Sequence, residues 1–317
     1  MKAAVVHSFD HPPRYDDYSE PVAGPDEVLV RVSACALSQL AKARAAGKHY
    51  SSGRTLDFIP GVDGVGRLVD GQRVYFAFPP APFGAMAGMT KVSWKFCVPL
   101  PGDVDDVQIA AAANPMMSSW AALTVRAGIQ PGETVLINGA TGTSGRLAVQ
   151  IAKHLGAGKV IATGRNRASL EALRAIGADV IVPLEESAEE LAKSLQRAIV
   201  GVNIILDYLW GQPAALLLAA VAGHAEHDPS PRVRFVQIGG MAGPAITLPA
   251  AVLRSSGLEM MGSGLGSVSS EELVRIIGDA ARAFIPGKFQ IEAEAVPLRD
   301  VESTWNTKPD RRIVYIP

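Results

Sequence analysis

The stretch GATGTSG at 139–145 consists of glycine and small polar residues between two hydrophobic segments. Its glycines are spaced G-x-x-G-x-x-G, a variant of the G-x-G-x-x-G pattern of dinucleotide-binding loops. The run ETVLIN (133–138) before it is typical of a buried strand. After it, Leu147, Ile151 and Leu155 recur every four residues on one face of a predicted helix. Because amides at such a helix start attract phosphate, the stretch predicts a pyrophosphate site. The residues expected to form it are Gly139, Ala140, Thr141, Gly142, Thr143, Ser144 and Gly145.

The end of the next predicted strand, ATGRNR (162–167), indicates which nucleotide binds. An NAD site usually carries a carboxylate about twenty residues past the loop, where it holds the ribose 2′-hydroxyl. Gly164 stands near that place, and Arg165 and Arg167 add positive charge that suits a 2′-phosphate. The alternative is that these arginines are solvated residues of a helix start. We expect NADPH, with contacts from Gly164, Arg165, Asn166 and Arg167.

The segments that follow the loop alternate between strand and helix patterns. With ETVLIN, the runs KVIAT, DVIVPL, NIILDYL, VRFVQIG and LEMMGSG make six predicted strands. This alternation is typical of a doubly wound parallel sheet, whose ligands bind at the carboxyl ends of the strands. The glycine-rich strand ends IGG (238–240) and GSG (262–264) are therefore expected on the same side of the sheet as the first loop.

The amino-terminal part has a different pattern, with short β-like runs broken by proline and glycine, such as EVLVRVSACAL and QRVYFAF. It predicts a compact, mostly β domain. The closing stretch 291–317 has the same character and is expected to return to that domain. We therefore predict two domains, one formed by 1–116 with 266–317 and one by 117–265.

Composition limits the classes of partner. The formal net charge of −1 over 317 residues gives no sign of a nucleic-acid footprint. The longest apolar run, 213–223, is too short to span a membrane, and the first residues lack the apolar stretch of a signal peptide. The chain has only two cysteines, which excludes a disulfide framework. A cytoplasmic protein without nucleic-acid or membrane partners is expected.

Four stretches together resemble the medium-chain dehydrogenase/reductase superfamily over essentially the whole chain. They are PGVDGVGRLVDGQRVY (60–75), SSWAAL (118–123), PGETVLINGATGTSGRLAVQIAKHLGA (131–157) and RRIVYIP (311–317). The resemblance implies a GroES-like, mostly β domain completed by the carboxyl-terminal segment, together with a Rossmann domain. It also implies a substrate site in the cleft between them.

The catalytic zinc ligands of the superfamily's alcohol dehydrogenases do not match this sequence. The resemblance places Ser38 at the cysteine position, Val62 at the histidine position and Asp63 at the glutamate position. A valine cannot bind a metal. The group HAEHD (224–228) has metal-like spacing, but its polar, proline-containing surroundings favour a solvated loop. We therefore expect no metal. The chain resembles the zinc-free branch of the superfamily, which comprises quinone oxidoreductases related to zeta-crystallin and enone or enoyl reductases.

Reduction of a quinone or a conjugated carbonyl needs hydrogen-bond donors rather than a metal, because the developing charge is delocalised. Tyr50 lies where quinone oxidoreductases often carry a tyrosine, and His49 and Ser38 are the competing candidates. For each of them the alternative is an ordinary loop or surface residue. The resemblance implies further cofactor contacts at Asn114, Ser118, Ile238, Gly239, Gly240, Gly262, Ser263 and Arg312.

These patterns predict an NADPH-dependent, zinc-independent reductase of quinones or α,β-unsaturated carbonyl compounds. Two alternatives stay open: a zinc-free alcohol dehydrogenase, and an NADPH-binding structural or sensor protein with little activity. A homodimer is expected by analogy with the family. Its predicted contact is the last strand of the sheet, LEMMGSG, in which Leu258, Met260 and Met261 suit a covered edge.

Overall fold

The structure is a computed structural model that describes residues 1–49, 52–53, 55–102, 104–185, 187–223, 231–307 and 311–317. Its strands are β1 Lys2–Val5, β2 Arg14–Asp17, β3 Glu27–Ala36, β4 Asp63–Leu68, β5 Arg73–Ala77, β6 Met89–Ser93, β7 Cys97–Pro99, β8 Thr134–Asn138, β9 Lys159–Gly164, β10 Val180–Pro183, β11 Ile204–Asp207, β12 Arg232–Gln237, β13 Gly257–Gly262, β14 Ala293–Pro297 and β15 Arg312–Ile316. Its α-helices are α1 Gln39–Ala45, α2 Asp106–Ala121, α3 Thr143–His154, α4 Arg167–Ala172, α5 Ala188–Ala198, α6 Gly211–Ala222, α7 Ala250–Arg254, α8 Ser270–Ala283 and α9 Val301–Thr304.

The backbone contacts divide the chain into two compact units. The first unit comprises Met1–Asn114 and Glu271–Pro317, and the second comprises Pro115–Ser270. Each unit has a hydrophobic core of its own. The assignment of one unit to the substrate and the other to the cofactor stays a prediction.

The second unit contains a six-stranded sheet in the order β10-β9-β8-β11-β12-β13. All five neighbouring pairs are parallel, which confirms the doubly wound α/β sheet predicted from the alternating pattern. The central strands are buried on both faces, since Leu136, Ile161, Ile205 and Phe235 are all inaccessible to solvent. Burial on both faces explains why β8, β9 and β11 are largely continuous hydrophobic runs rather than alternating ones.

The helices of this unit cover the sheet with amphipathic faces. In α5 and its C-cap residue, for example, Leu191, Leu195 and Ile199 are buried in the core of this unit, whereas the residues between them are exposed or half-buried. The helix begins where the Ser187 hydroxyl accepts a hydrogen bond from the Glu190 amide at 3.3 Å. This is the side-chain cap that leaves fewer amides of the first turn without an acceptor.

The first unit is built on a mostly antiparallel sheet in the order β14-β15-β3-β4-β5-β7, with β6 also paired to β3. Strand β15 pairs antiparallel with β3 through Val314–Ala36 and Tyr315–Cys35. The closing segment therefore adds strands to the amino-terminal sheet. No helix in the described part of the chain is both long and apolar enough to cross a membrane.

Candidate cofactor site and active site

The three glycines of the loop between β8 and α3 are required for three different reasons. Gly139 has φ +88°, and a side chain there would come within 2.8 Å of Leu209 Cδ2. A side chain on Gly145 would come within 2.5 Å of the Ala140 Cα, so this glycine lets the helix pack against the loop. Above Gly142 nothing lies within 4 Å of the place that a Cβ would take. The loop therefore has one turn glycine, one packing glycine and one glycine that leaves open space.

The start of α3 has the features of an anion site. Gly142 is its N-cap residue and provides no side-chain acceptor, and the first turn contains no acidic residue. The amides of Thr143, Ser144 and Gly145 therefore have no acceptor within the helix, and the helix dipole adds positive potential to them. The turn itself is fixed because the Ala140 amide donates to the Thr163 carbonyl at 2.8 Å. These residues fit the pyrophosphate of a dinucleotide.

The end of β9 carries a glycine where an NAD site has its carboxylate. A Cβ on Gly164 would lie 2.6 Å from Thr141 Cγ2, so a side chain here would require Thr141 to move. Arg165 and Arg167 follow as exposed residues, and Asn166 between them caps α4 by accepting from the Ser169 amide at 2.8 Å. The cap sets the course of the backbone here and leaves both guanidinium groups in solvent, where a 2′-phosphate can reach them.

The residues expected at the nicotinamide end lie at the carboxyl ends of neighbouring strands. The Ile238 and Gly239 amides donate to the Asp207 carbonyl at 2.8 and 3.1 Å, and the Ser263 amide donates to the Gln237 carbonyl at 2.9 Å. A side chain on Gly239 would come within 2.7 Å of the Tyr208 carbonyl oxygen, which explains the glycine at this position. Gly240 and Gly262, which complete the predicted set, are exposed. Their contacts with a nicotinamide stay a prediction.

Asn114 and Ser118 lie one turn apart on α2, and both are half-buried. The Ser118 hydroxyl donates to the Pro115 carbonyl at 2.8 Å. The sequence argument missed the neighbouring Ser119, whose Oγ lies 2.8 Å from the Tyr208 hydroxyl. Burial raises the pKa of Tyr208 to about 12, although hydrogen bonds from Ser119 and Ser118 oppose this shift. Tyr208 is therefore a neutral phenol at physiological pH.

The candidate donors of the first unit have different environments. Ser38 is buried and caps α1, its Oγ accepting from the Ala41 amide at 3.0 Å. Its hydroxyl hydrogen is not used by the cap. Burial, helped by the positive charge of Arg44, lowers the pKa of His49. Tyr50 lies outside the described residues.

Arg312 lies on β15 in the first unit, and its charge acts on a buried carboxyl group, that of Asp63. Asp63 accepts a hydrogen bond from the Tyr75 hydroxyl at 2.5 Å. Burial raises the pKa of Asp63 to about 6, against the Tyr75 hydrogen bond and the charge of Arg312. The Arg312 Nε is buried and has no acceptor within the described part of the chain. The contact of Arg312 with the cofactor phosphates stays a prediction.

The positions matched to zinc ligands hold a buried valine, Val62, and the helix cap Ser38. Within the described ranges, no three His, Cys, Asp or Glu side chains are grouped so that they could hold a metal ion. His224, His227 and Asp228 lie outside those ranges. Independence from metal stays a prediction.

Comparison with known proteins gives consistent matches. The family model described as zinc-binding dehydrogenase matches residues 145–279. A "Probable NADPH-dependent quinone reductase" of Emericella nidulans is 29% identical over 364 aligned positions that cover 100% of both chains. The structure of a mycobacterial quinone oxidoreductase superposes with a TM-score of 0.86 at 21% identity, again over 100% of both chains. These matches bear out the resemblance to the medium-chain dehydrogenase/reductase superfamily.

A third relative is the "NADPH-dependent alkenal/one oxidoreductase, chloroplastic" of Arabidopsis thaliana, which is 31% identical over 184 residues. That match covers 52% of this chain and 47% of the relative, so it spans about half of each protein. The superposition with the mycobacterial quinone oxidoreductase over the whole chain confirms the predicted fold class. The strand ends hold functional candidates that were not foreseen, namely Asn138, Thr163, Asp207 and Tyr208. The sequence signal that could have identified them is the polar residue at the end of each apolar run.

Proposed function

We propose that this chain is an NADPH-dependent reductase of quinones or α,β-unsaturated carbonyl compounds. The observation that carries the proposal is the arrangement of the predicted cofactor site. There is open space at Gly142, and the first amides of α3 have no acceptor within the helix. The end of β9 has a glycine in place of the carboxylate of an NAD site, followed by the exposed Arg165 and Arg167. The names of the Emericella and Arabidopsis relatives support the same cofactor and the same two substrate classes.

In this proposal each part of the chain has a defined task. NADPH supplies a hydride to the β-carbon of an enone or to a quinone ring when it is bound. The α3 amides and the two arginines hold the phosphates. Ser38, His49 and Tyr50 are the candidate donors to the substrate oxygen as charge develops on it. Ser38 acts as an acceptor in its helix cap, so its hydroxyl hydrogen is not used there.

Val62 and Ser38 support a reaction that needs no metal. Charge that spreads into an enolate or a quinol ring makes a smaller demand on the protein than a localised alkoxide, and one or two positioned donors meet it. We therefore propose that activity is independent of zinc.

A substrate panel tests the proposal. Purified protein is mixed with NADPH and a series of quinones, enals and enones, and the loss of NADPH absorbance is followed with and without a chelator. We expect turnover of at least one of these classes and no effect of the chelator. Oxidation of simple alcohols with NADP⁺, without turnover of the panel, would instead identify an alcohol dehydrogenase. Tight NADPH binding without any turnover would identify a structural or sensor protein.

We also propose a homodimer formed along the free edge of β13, the last strand in the sheet order. Leu258 on this strand is buried, and Met260 and Met261 are half-buried. An edge strand with apolar side chains favours pairing with a second copy. A cytoplasmic location and a cofactor role for the second unit are likewise proposals.

A further inference from the structure

Three buried polar side chains form a row across the carboxyl ends of neighbouring strands. Asn138 ends β8 and is paired with Asp207, which ends β11. Thr163 on β9 lies one position beyond the pair Ile137–Ala162. All three residues are inaccessible to solvent. Because a buried polar group is costly without a hydrogen-bond partner, the row must satisfy itself or the backbone around it.

The hydrogen bonds of the row run in one direction. The Thr163 hydroxyl donates to Asn138 Oδ1 at 2.6 Å, and Asn138 Nδ2 donates to Asp207 Oδ1 at 2.8 Å. A carboxylate can only accept, so Asp207 fixes the orientation of the Asn138 amide, which in turn fixes the Thr163 hydroxyl. With its hydrogen used, the Thr163 oxygen accepts from the Gly139 amide at 3.2 Å. Asp207 thus determines the environment of the first amide of the glycine loop.

Asp207 reaches the same glycine by a second route. Its carboxylate accepts from the Leu209 amide at 3.2 Å and from the Trp210 amide at 3.0 Å. These bonds hold a turn in which Trp210 has φ +56°, a conformation that favours glycine. The Leu209 side chain then lies against Gly139, where Cδ2 would be 2.8 Å from an added Cβ. Gly139 is therefore held from its amide side and from its Cα side.

We propose that Asp207 is a positioning residue for the glycine loop. Through Asn138 and Thr163 it fixes the Gly139 amide, and through Leu209 it covers the other side of that residue. The loop is held in its phosphate-binding conformation before the cofactor arrives, so less ordering is left to the binding step. The inference rests on the proposed function, because NADPH is the ligand that the loop would receive.

Exchanging the amide at position 138 with the carboxylate at position 207 tests this role. Asn138→Asp places two carboxyl groups against each other where the Asn138 amide now donates to Asp207 Oδ1. Asp207→Asn removes the charge and puts an amide nitrogen either beside Asn138 Nδ2 or beside the Trp210 amide, which now donates to Oδ2. In the double variant Asn138→Asp/Asp207→Asn, the new amide nitrogen donates to residue 138 and the new amide oxygen accepts from the Trp210 amide. We expect each single variant to weaken NADPH binding about tenfold and the double variant to lie within about threefold of wild type. Fluorescence titration measures the affinity.

Hydrogen exchange of the ligand-free protein gives the second readout. The amides of 139–145 should exchange faster in both single variants and return toward the wild-type rate in the double variant. Asn203→Ala is the control, since Asn203 Oδ1 accepts from the Thr134 amide at 2.9 Å, at the opposite ends of the strands. This variant should lower thermal stability without faster exchange of the loop.

Two results would overturn the inference: a double variant no better than the weaker single variant, or single variants that melt earlier while NADPH affinity and loop exchange stay unchanged. If a single variant does not fold, the test rests on the double variant alone. Its amides at 139–145 should then exchange at the wild-type rate, and faster exchange would overturn the inference. A wild-type protein that fails to bind NADPH would refute the proposed function, whereas exchange in the ligand-free protein would still test the row.

Discussion

Arg165 and Arg167 follow the strand end at which an NAD site has its carboxylate, and we propose that they select the cofactor. Both are exposed, so their attraction to a 2′-phosphate is screened by salt. We expect Arg165→Ala and Arg167→Ala each to weaken NADPH binding by about tenfold at low salt and to leave NADH binding unchanged. Titration with both nucleotides measures the ratio.

The control for this pair is Arg174→Ala. Arg174 is also exposed, but it pairs with Glu171 at 2.9 Å, so its loss should leave the affinity ratio as it is. Equal affinities of the wild-type protein for NADPH and NADH would contradict the assignment of these arginines.

Asp63 makes stability depend on pH at the residue scale. Its pKa in the folded state, about 6, lies above the ordinary value of 3.8, so the folded protein holds this proton more tightly than the unfolded chain. Its effect on stability is therefore most favourable at low pH, and it declines as the pH rises from about 4 to about 6. Above that range the buried carboxylate depends on the Tyr75 hydroxyl and on the charge of Arg312.

Tyr75→Phe should expose this dependence. The variant keeps the ring and removes the hydrogen bond to the ionised carboxylate, which costs about 1–3 kcal/mol of stability at pH 7.5. At pH 5, where Asp63 is mostly protonated, the loss should be smaller. Urea unfolding at the two pH values measures it, with Tyr15→Phe on β2 as the control. An equal loss at both pH values would show that the hydrogen bond to the carboxylate is not responsible.

At the scale of elements, different glycines of the loop between β8 and α3 serve packing and binding. Gly145→Ala should lower thermal stability markedly, because the new Cβ would meet backbone atoms of Ala140 at 2.5 Å. Gly142→Ala should leave stability nearly unchanged, because the space is open and its φ of −75° is allowed for alanine. The same variant should weaken NADPH binding, since the methyl group enters the space for the pyrophosphate. Thermal melts and titrations of both variants test this; a Gly142→Ala variant with wild-type affinity would be the contrary result.

The elements could largely be predicted from the sequence, because their signals are local. Four of the six strands of the second unit, β8 to β11, are largely apolar runs, and the glycine loop lies between β8 and β9. The row of Asn138, Thr163 and Asp207 could not be predicted in this way. Each is an ordinary polar strand end until the sheet order makes β9, β8 and β11 neighbours in one register.

For the candidate catalytic donors, the sequence match did not predict the local structural role. Ser38 was selected by its match to a lost zinc ligand, yet the structure gives its oxygen a cap in α1, a role that depends on where the helix begins. The buried pair Asp63–Tyr75 was not foreseen as a unit, because the residues lie on different strands and meet only through the β4–β5 pairing.

At the scale of the whole molecule, the free edge of β13 should hold two chains together. We expect light scattering to give twice the mass of the chain at micromolar concentration. Met261→Lys places a charge on this edge strand and should shift the protein toward monomer. Val200→Lys, at an exposed valine outside the sheet, is the matched control. A monomeric mass for the wild-type protein would refute the proposed dimer.

The central claim, NADPH-dependent reduction of a conjugated acceptor, is tested most directly by following the transferred hydrogen. The protein is incubated with an enone and NADPH that carries deuterium at the nicotinamide C4 position, and the product is analysed by NMR. Hydride transfer to the β-carbon should give a saturated ketone with deuterium at the former β-carbon. Deuterium at the carbonyl carbon of an allylic alcohol, which is the product of a carbonyl reductase, would contradict it.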